Sequence, residues 1–274
     1  MSDGSRGQPI GIFDSGMGGL TVMRALVARL PHEHFVYLGD TARLPYGTKS
    51  SETVTRYAVQ AAGLLAKHRV KLVVVACNTA SAVAMTALAG ALAPLPSLGV
   101  IEPGAEAAVA AGPQGPIAVI ATEGTVRGGA YVRAIQRLRP GVNVVQQACP
   151  LFVPLAEEGL IDGPIAKLAA ERYLAPLFAG ADAKPACLVL GCTHFPVLKS
   201  VIAQVIGDVA LVDSADVTAN AVARLLHDAK LANDEPVPPP NRFLVTDAPE
   251  RFARVGEIFL GAPISAGTVE LIDL

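Results

Sequence analysis

Twice in this chain a short, almost unbroken apolar run stops on a cysteine. The first reads Leu72-Val-Val-Val-Ala-Cys77-Asn-Thr and the second Cys187-Leu-Val-Leu-Gly-Cys192-Thr-His. Runs of this length, without polar alternation, fit strands covered on both faces. That is the condition of a parallel sheet with helices above and below it. On the same grounds strands are expected at 10–13, 35–38, 72–76, 98–101, 117–120, 143–146, 187–190, 210–212, 243–246 and 264–265. Apolar residues at helical spacing predict helices at 20–30, 51–67, 165–178 and 215–227. Strands punctuated by helices imply βαβ units.

The two cysteine runs belong to a larger echo. Ile10-Gly-Ile-Phe-Asp-Ser-Gly is matched by Ile117-Ala-Val-Ile-Ala-Thr-Glu-Gly, and more loosely Val100-Ile-Glu-Pro by Val212-Asp-Ser-Ala. Positions 10 and 117, 77 and 192, and 100 and 212 are separated by 107, 115 and 112 residues, in the same order. A near-constant offset marks an internal duplication. The expected fold is therefore α/β, with two similar domains, each a mostly parallel sheet flanked by helices. The first domain would take 1–97 plus 212–274 and the second 98–211, with crossings near the Pro-rich 94–97 and near Val212. The stiff segment 237–241 (VPPPN) would lead into a final pair of short strands. Ligands of open α/β sheets collect beyond the carboxyl ends of the strands. Both cysteines sit there, so an active site in the interdomain cleft would have one thiol on each wall.

Composition narrows the class. Of 274 residues, 51% are apolar and 17% charged, which allows a large core and argues against disorder. The net charge of −2 comes without a basic block, so no nucleic-acid partner is expected. The longest apolar-rich stretch, 82–93, falls short of the ~20 residues that cross a bilayer. Residues 1–9 lack the apolar centre of a secretory signal, and no membrane partner is expected. Four cysteines, Cys77, Cys149, Cys187 and Cys192, are too few for a disulfide scaffold, so a reduced, cytoplasmic setting is expected.

Cys77-Asn78-Thr79-Ala80-Ser81 follows a strand with residues that cap a helix. A thiol at a helix N-terminus is expected to fall from a pKa of about 8.5 toward neutrality. A buried cysteine is as often plain packing. In Cys192-Thr193-His194 the histidine is placed to orient the thiol or hold its thiolate. A Cys-x-His pair is also half a metal site, but Cys149 and Cys187 bring no second pair at zinc-like spacing, and no metal is expected. Asp14-Ser15-Gly16-Met17-Gly18-Gly19 has the glycines of a ligand-cradling turn without the dinucleotide spacing. The acid before those glycines suits a proton carrier or an ammonium partner better than a phosphate. The turns at 40–47, 122–125 and 149–159 also follow strand ends and are candidates to line the cleft. Ordinary surface turns, and for Glu157 with Glu158 a solvated acidic pair, are the plainer readings.

Two thiols in mirrored half-sites suit redox chemistry through a disulfide, or proton transfer at a stereocentre. Inversion at a carbon acid is naturally done by two bases on opposite faces. Identical groups exchange roles easily because acid–base efficiency depends on matched pKa values. Developing charge then needs well-placed N–H donors. There is no pyridoxal-type lysine motif and no dinucleotide fingerprint, so no cofactor is expected.

These residues together resemble the bacterial glutamate racemases, within the aspartate/glutamate racemase superfamily. The matching blocks are FDSGMGGLTV at 13–22, DTARLPYG at 40–47, ACNTASA at 76–82, EPG at 102–104, ATEGTVRGGAY at 121–131, CPLFVPLAEEG at 149–159 and GCTHFPVL at 191–198. They run in order through nearly the whole chain. The resemblance implies a cofactor-independent isomerase that interconverts L- and D-glutamate by two-base proton transfer at Cα. It further implies a role in supplying D-glutamate for peptidoglycan, hence in cell-wall biogenesis and cell shape, and a cytoplasmic homodimer. By the same resemblance Cys77 and Cys192 are the two catalytic acid/bases, with Asp14 beside the first and His194 and Glu157 beside the second. Asp14, Ser15, Tyr46, Gly47, Asn78, Thr79, Thr193 and His194 are similar to substrate-binding positions. Met17 and Phe195 stand where valine and tyrosine are more usual, and Phe195 removes a hydroxyl. The alternative activity is aspartate racemase or a related amino-acid racemase, including a one-thiol relative. The alternative class is a non-catalytic two-domain binding protein.

Overall fold

The computed structural model describes residues 5–178 and 184–274. The chain begins with β1 (Ile10–Asp14), α1 (Leu20–Arg29), β2 (Phe35–Gly39), α2 (Ser51–Lys67), β3 (Leu72–Val75), α3 (Asn78–Val83), α4 (Met85–Leu92) and β4 (Ser97–Gly99). It continues through α5 (Ile101–Ala111), β5 (Ile117–Ala121), α6 (Glu123–Gly128), α7 (Ala130–Leu138), β6 (Val144–Ala148), α8 (Phe152–Glu157), α9 (Gly163–Phe178), β7 (Cys187–Gly191), α10 (Lys199–Ile206) and β8 (Ala210–Asp213). It ends with α11 (Ser214–Asp228), β9 (Arg242–Val245), α12 (Pro249–Leu260) and β10 (Val269–Leu271). No described helix is long and apolar enough to cross a membrane.

The strands form two sheets, ordered β10-β9-β2-β1-β3-β4 and β6-β5-β7-β8, with every pairing parallel. The run β2-β1-β3-β4 recurs as β6-β5-β7-β8, so the echo in the sequence is an echo in the winding. Only the first sheet is widened, by β9 and β10 beyond β2.

The unbroken apolar runs have a direct explanation. In β3, Leu72 and Val74 enter a core beneath α1, α11 and α12, while Val73 and Val75 enter another beneath α2 and α4. In β7, Leu188 and Leu190 face α8, α9 and α10, while Cys187 and Val189 face α5 and α7. Each sheet thus has helices on both faces, and no strand position needs to be polar. Local signals set the helix starts: Ser50 Oγ accepts from the Thr53 N–H at 3.3 Å to open α2, and Asp213 accepts from Ala215 N at 2.9 Å to open α11.

Three expectations shift. The chain leaves the first sheet after β4, because α5 already packs on β7 and β8. It returns after β8, because α11 lies against α1. The boundaries at 97/98 and 211/212 therefore cut through short strands that their ladders hold to the preceding sheet, Leu98 beside Val74 and Val212 beside Val189. Ile101 opens α5 instead of closing β4. The last strand lies at Val269–Leu271, not at 264–265, because Ile264, after Pro263, plugs the first core. A 3₁₀ turn at Ala266–Thr268 then carries the chain to the sheet edge.

Candidate active site

β1 and β3 lie side by side in the first sheet, and β5 and β7 side by side in the second. The chemistry-bearing residues follow their carboxyl ends. β1 ends on Asp14, which is buried. Its Oδ2 accepts from Gly16 N and Gly19 N, both at 3.0 Å, and from the Tyr37 hydroxyl at 3.3 Å. The glycine turn thus wraps the carboxylate that precedes it, instead of cradling an outside anion.

Cys77 is the N-cap of α3. Its Sγ accepts from Ala80 N at 3.5 Å and lies 3.5 Å from Ser15 Oγ. Burial first, and then the Asp14 charge, push this thiol up to about 12, against the lowering from its Ser15 and Ala80 contacts. The lowering expected from a helix N-terminus is reversed. Two long contacts at the start of a six-residue helix do not offset lost hydration and a neighbouring anion.

The second thiol has different neighbours. Cys192 Sγ lies 3.8 Å from His194 Nδ1, and His194 Nε2 lies 3.2 Å from Glu157 Oε1. Burial lowers the imidazole pKa, but the Cys192 and Glu157 partners overcome it and carry His194 up to about 10. Burial raises Glu157, but His194 and then Arg251 hold it below the usual carboxylate range. At neutral pH the pair is therefore imidazolium and carboxylate. The stabilisation it gives is complete below the ordinary histidine value near 6.5 and is lost as pH rises through about 10. Thermal unfolding followed between pH 6 and 10.5 should show wild type losing more melting temperature across that range than His194→Asn. Parallel curves would contradict the pairing.

The two lobes touch beside these thiols. A β-carbon on Gly18, in the turn after β1, would lie 2.3 Å from His194 Nδ1 and 2.8 Å from Thr193 Oγ1. The Thr21 hydroxyl donates at 2.9 Å to Gly18 O and to Thr193 O. Elsewhere Thr79 Oγ1, at the start of α3, lies 3.0 Å from Thr122 Oγ1 and 3.3 Å from Thr125 Oγ1, at the start of α6. Gly47 and Gly124 permit this approach, since a β-carbon on Gly47 would meet Thr122 at 2.9 Å and one on Gly124 would meet Gly47 O at 2.8 Å. Among the causes that raise Cys77 and the Tyr131 hydroxyl, the Cys192 charge comes after burial and adds only a minor push. All four cysteines are free thiols.

Asp14, Ser15, Cys77, Asn78, Thr79, Cys192, Thr193, His194 and Glu157 therefore converge at the facing strand ends. Asn78 donates to the Tyr131 hydroxyl at 2.9 Å, and its carbonyl oxygen has no partner among the described residues. Tyr46 is placed differently. It packs between Phe13 and Tyr57, and its hydroxyl is engaged by the Asp40 carboxylate, which also accepts from Arg43 Nε at 2.7 Å. Among the described residues no three His, Cys, Asp or Glu side chains gather as a metal-binding group. Sequence reading overlooked Tyr37 and Arg251 and treated Thr122, Thr125 and Tyr131 only as parts of motifs. The turn after β5 was a usable signal for the threonines, whereas nothing local marks Arg251.

Known proteins share this sequence pattern and fold. The profile of the Asp/Glu/hydantoin racemase family matches residues 10–222. A glutamate racemase of Geobacter metallireducens is 52% identical over 93% of each chain. Among solved structures, the glutamate racemase of Francisella tularensis in complex with D-glutamate superposes with a TM-score of 0.90 at 38% identity, covering 98% of each chain. That of Thermus thermophilus in complex with β-chloro-D-alanine gives 0.87 at 44% identity, also over 98% of each. The chain belongs to the Asp/Glu/hydantoin racemase family, on its glutamate racemase branch.

Proposed function

We propose that this protein interconverts L- and D-glutamate by two-base proton transfer at Cα, with Cys77 and Cys192 as the catalytic acid/bases. The observation that carries the reading is the equivalence of the two thiols. Each follows the carboxyl end of the strand beside the first strand of its lobe, β3 beside β1 and β7 beside β5, and the turn after β1 lies directly against Thr193 and His194 next to Cys192. A substrate seated between the lobes has one sulfur available to each face of its α-carbon. One thiolate takes the α-proton while the opposite thiol delivers its own proton from behind, and the reverse direction exchanges the roles.

The surroundings supply what a weak carbon acid needs. Asp14 offers an anion for the substrate ammonium. Thr79, Thr122, Thr125, Thr193 and Asn78, with Ser15 and the Gly47 turn, offer hydroxyl and N–H donors to the two carboxylates and to the charge developing on the α-carbon. Tyr46 shapes that wall by packing. His194, held by Glu157, is the charge partner of Cys192 when that sulfur is anionic. The reaction needs no cofactor in this scheme, and the lobes built on the β10-β9-β2-β1-β3-β4 and β6-β5-β7-β8 sheets act as two halves closing over one substrate. We further propose a cytoplasmic homodimer whose D-glutamate supplies peptidoglycan.

The test is incubation of the purified chain with L-glutamate in D₂O without added cofactor, followed by polarimetry and α-proton NMR, with L-aspartate in parallel. Loss of optical rotation with α-deuterium appearing in the D product is expected for glutamate. Exchange in neither enantiomer sinks the reading, and faster turnover of aspartate reassigns the substrate.

A further inference from the structure

Helix α12 is anchored in the first lobe, yet one side of it lies against the acid/base group of the second. Phe252 is buried with Tyr37 and Phe243, at ring separations of 5.7 and 6.1 Å, and Tyr37 in turn donates to Asp14. At Gly256 the helix approaches α1 so closely that a β-carbon would lie 2.8 Å from Leu20 Cδ1. From this fixed seat Arg251 Nη2 donates to Glu157 Oε2 at 2.9 Å. Phe259 meets the His194 ring edge-on, at 5.0 Å and 73°. Ile258 covers the turn after α8, where a β-carbon on Gly159 would lie 3.6 Å from its Cδ1. Residues 251, 258 and 259 are seven and eight positions apart, which sets them on one side of the helix.

The Glu157 carboxylate divides its oxygens, Oε1 to His194 and Oε2 to Arg251. A carboxylate with one partner is free to turn, whereas one held at both oxygens fixes the plane in which it meets the imidazole. Arg251 is 38% exposed at its side chain, and exposed ion pairs contribute little to stability. What the contact supplies is direction. Phe259 packs edge-on against the same ring.

We propose that Arg251 is a positioning residue for Cys192: it holds Glu157, and through Glu157 the His194 ring, in line with the second thiol, and because the opposite lobe carries it, that half of the site is complete only when the lobes are closed. The proposal rests on the racemase reading above. It predicts a one-sided defect, since among the described residues the Asp14 carboxylate is held by Gly16, Gly19 and Tyr37 of its own lobe and not by a side chain from the other.

The test is steady-state kinetics of Arg251→Ala and Arg251→Lys in both directions. The enantiomers are equal in energy, so kcat/KM is the same in both directions for any variant, but kcat and KM separately are not. Loss of one charge-assisted hydrogen bond predicts a fall in kcat of roughly tenfold in Arg251→Ala. The two directions should fall by unequal factors with compensating shifts in KM, and Arg251→Lys should recover most of the loss. In a Glu157→Gln background, Arg251→Ala should add little. Wild-type kinetics in Arg251→Ala would overturn the proposal. So would an equal fall in both kcat values with KM unchanged, which signals fewer active molecules. An inactive wild-type chain would instead overturn the racemase reading, and this proposal with it.

Discussion

Cys77→Ser and Cys192→Ser should each lower racemisation by roughly 10²–10⁴-fold, the range spanned by loss of an essential acid or base. Serine keeps the shape of the buried site, so folding should survive, but its hydroxyl is far too weak an acid to replace a thiol. The diagnostic is what survives. In each variant one thiol remains on one face of the substrate. That thiol still removes the α-proton of the enantiomer presented to it and, in D₂O, returns a deuteron to the same face. Each variant should therefore exchange the α-proton of a single enantiomer with retention, and the two variants should exchange opposite enantiomers. This assigns each cysteine to one hand of glutamate. The double variant should be little worse in racemisation than either single one, because the groups act as a unit. Full racemisation in Cys192→Ser refutes the two-base assignment.

The fold was legible because its determinants are local and repeated. LVVVA and CLVLG carry their burial in their composition, and the recurrence of the strand-end cysteine implies two similar lobes, which the matching order of the two sheets bears out. Boundaries were less legible. Ile101 and Ile264 look like strand residues, but one belongs to a helix and the other to a core, and an apolar side chain alone does not say which neighbour covers it. The polar site was legible where a strand end and a polar motif coincide, as at Asp14, Cys77 and Cys192. The thiol acidity at Cys77 was misread, because helix position is visible in sequence whereas burial and the distance to Asp14 are properties of the closed fold. Arg251 was invisible for a related reason. It lies on an amphipathic helix among other charged residues, and only the packing of α12 against α1 turns it toward Glu157.

Gly18→Ala should cost about 100-fold in kcat/KM while leaving the melting temperature almost unchanged. The backbone at Gly18 does not adopt the left-handed region, so alanine is conformationally acceptable there. The cost comes from across the cleft. The new methyl would sit 2.3 Å from His194 Nδ1 and 2.8 Å from Thr193 Oγ1. Neither neighbour has room to yield: His194 is held by Cys192, Glu157 and Phe259, and the Thr193 backbone is tied to Thr21. Either the ring swings off the thiol or the lobes stay apart. Overpacking of this kind costs roughly 1–3 kcal/mol, which at its upper end is about 100-fold in rate. The strain falls on closure and not on either core, because each lobe folds around its own sheet. Gly16→Ala, two residues earlier, is the control: its methyl would meet Leu44 alone, Cδ2 at 3.4 Å and Cβ at 4.0 Å, and near-normal turnover is expected. Equal kcat/KM in Gly18→Ala and Gly16→Ala would show that catalysis does not require the contact between the Gly18 turn and His194.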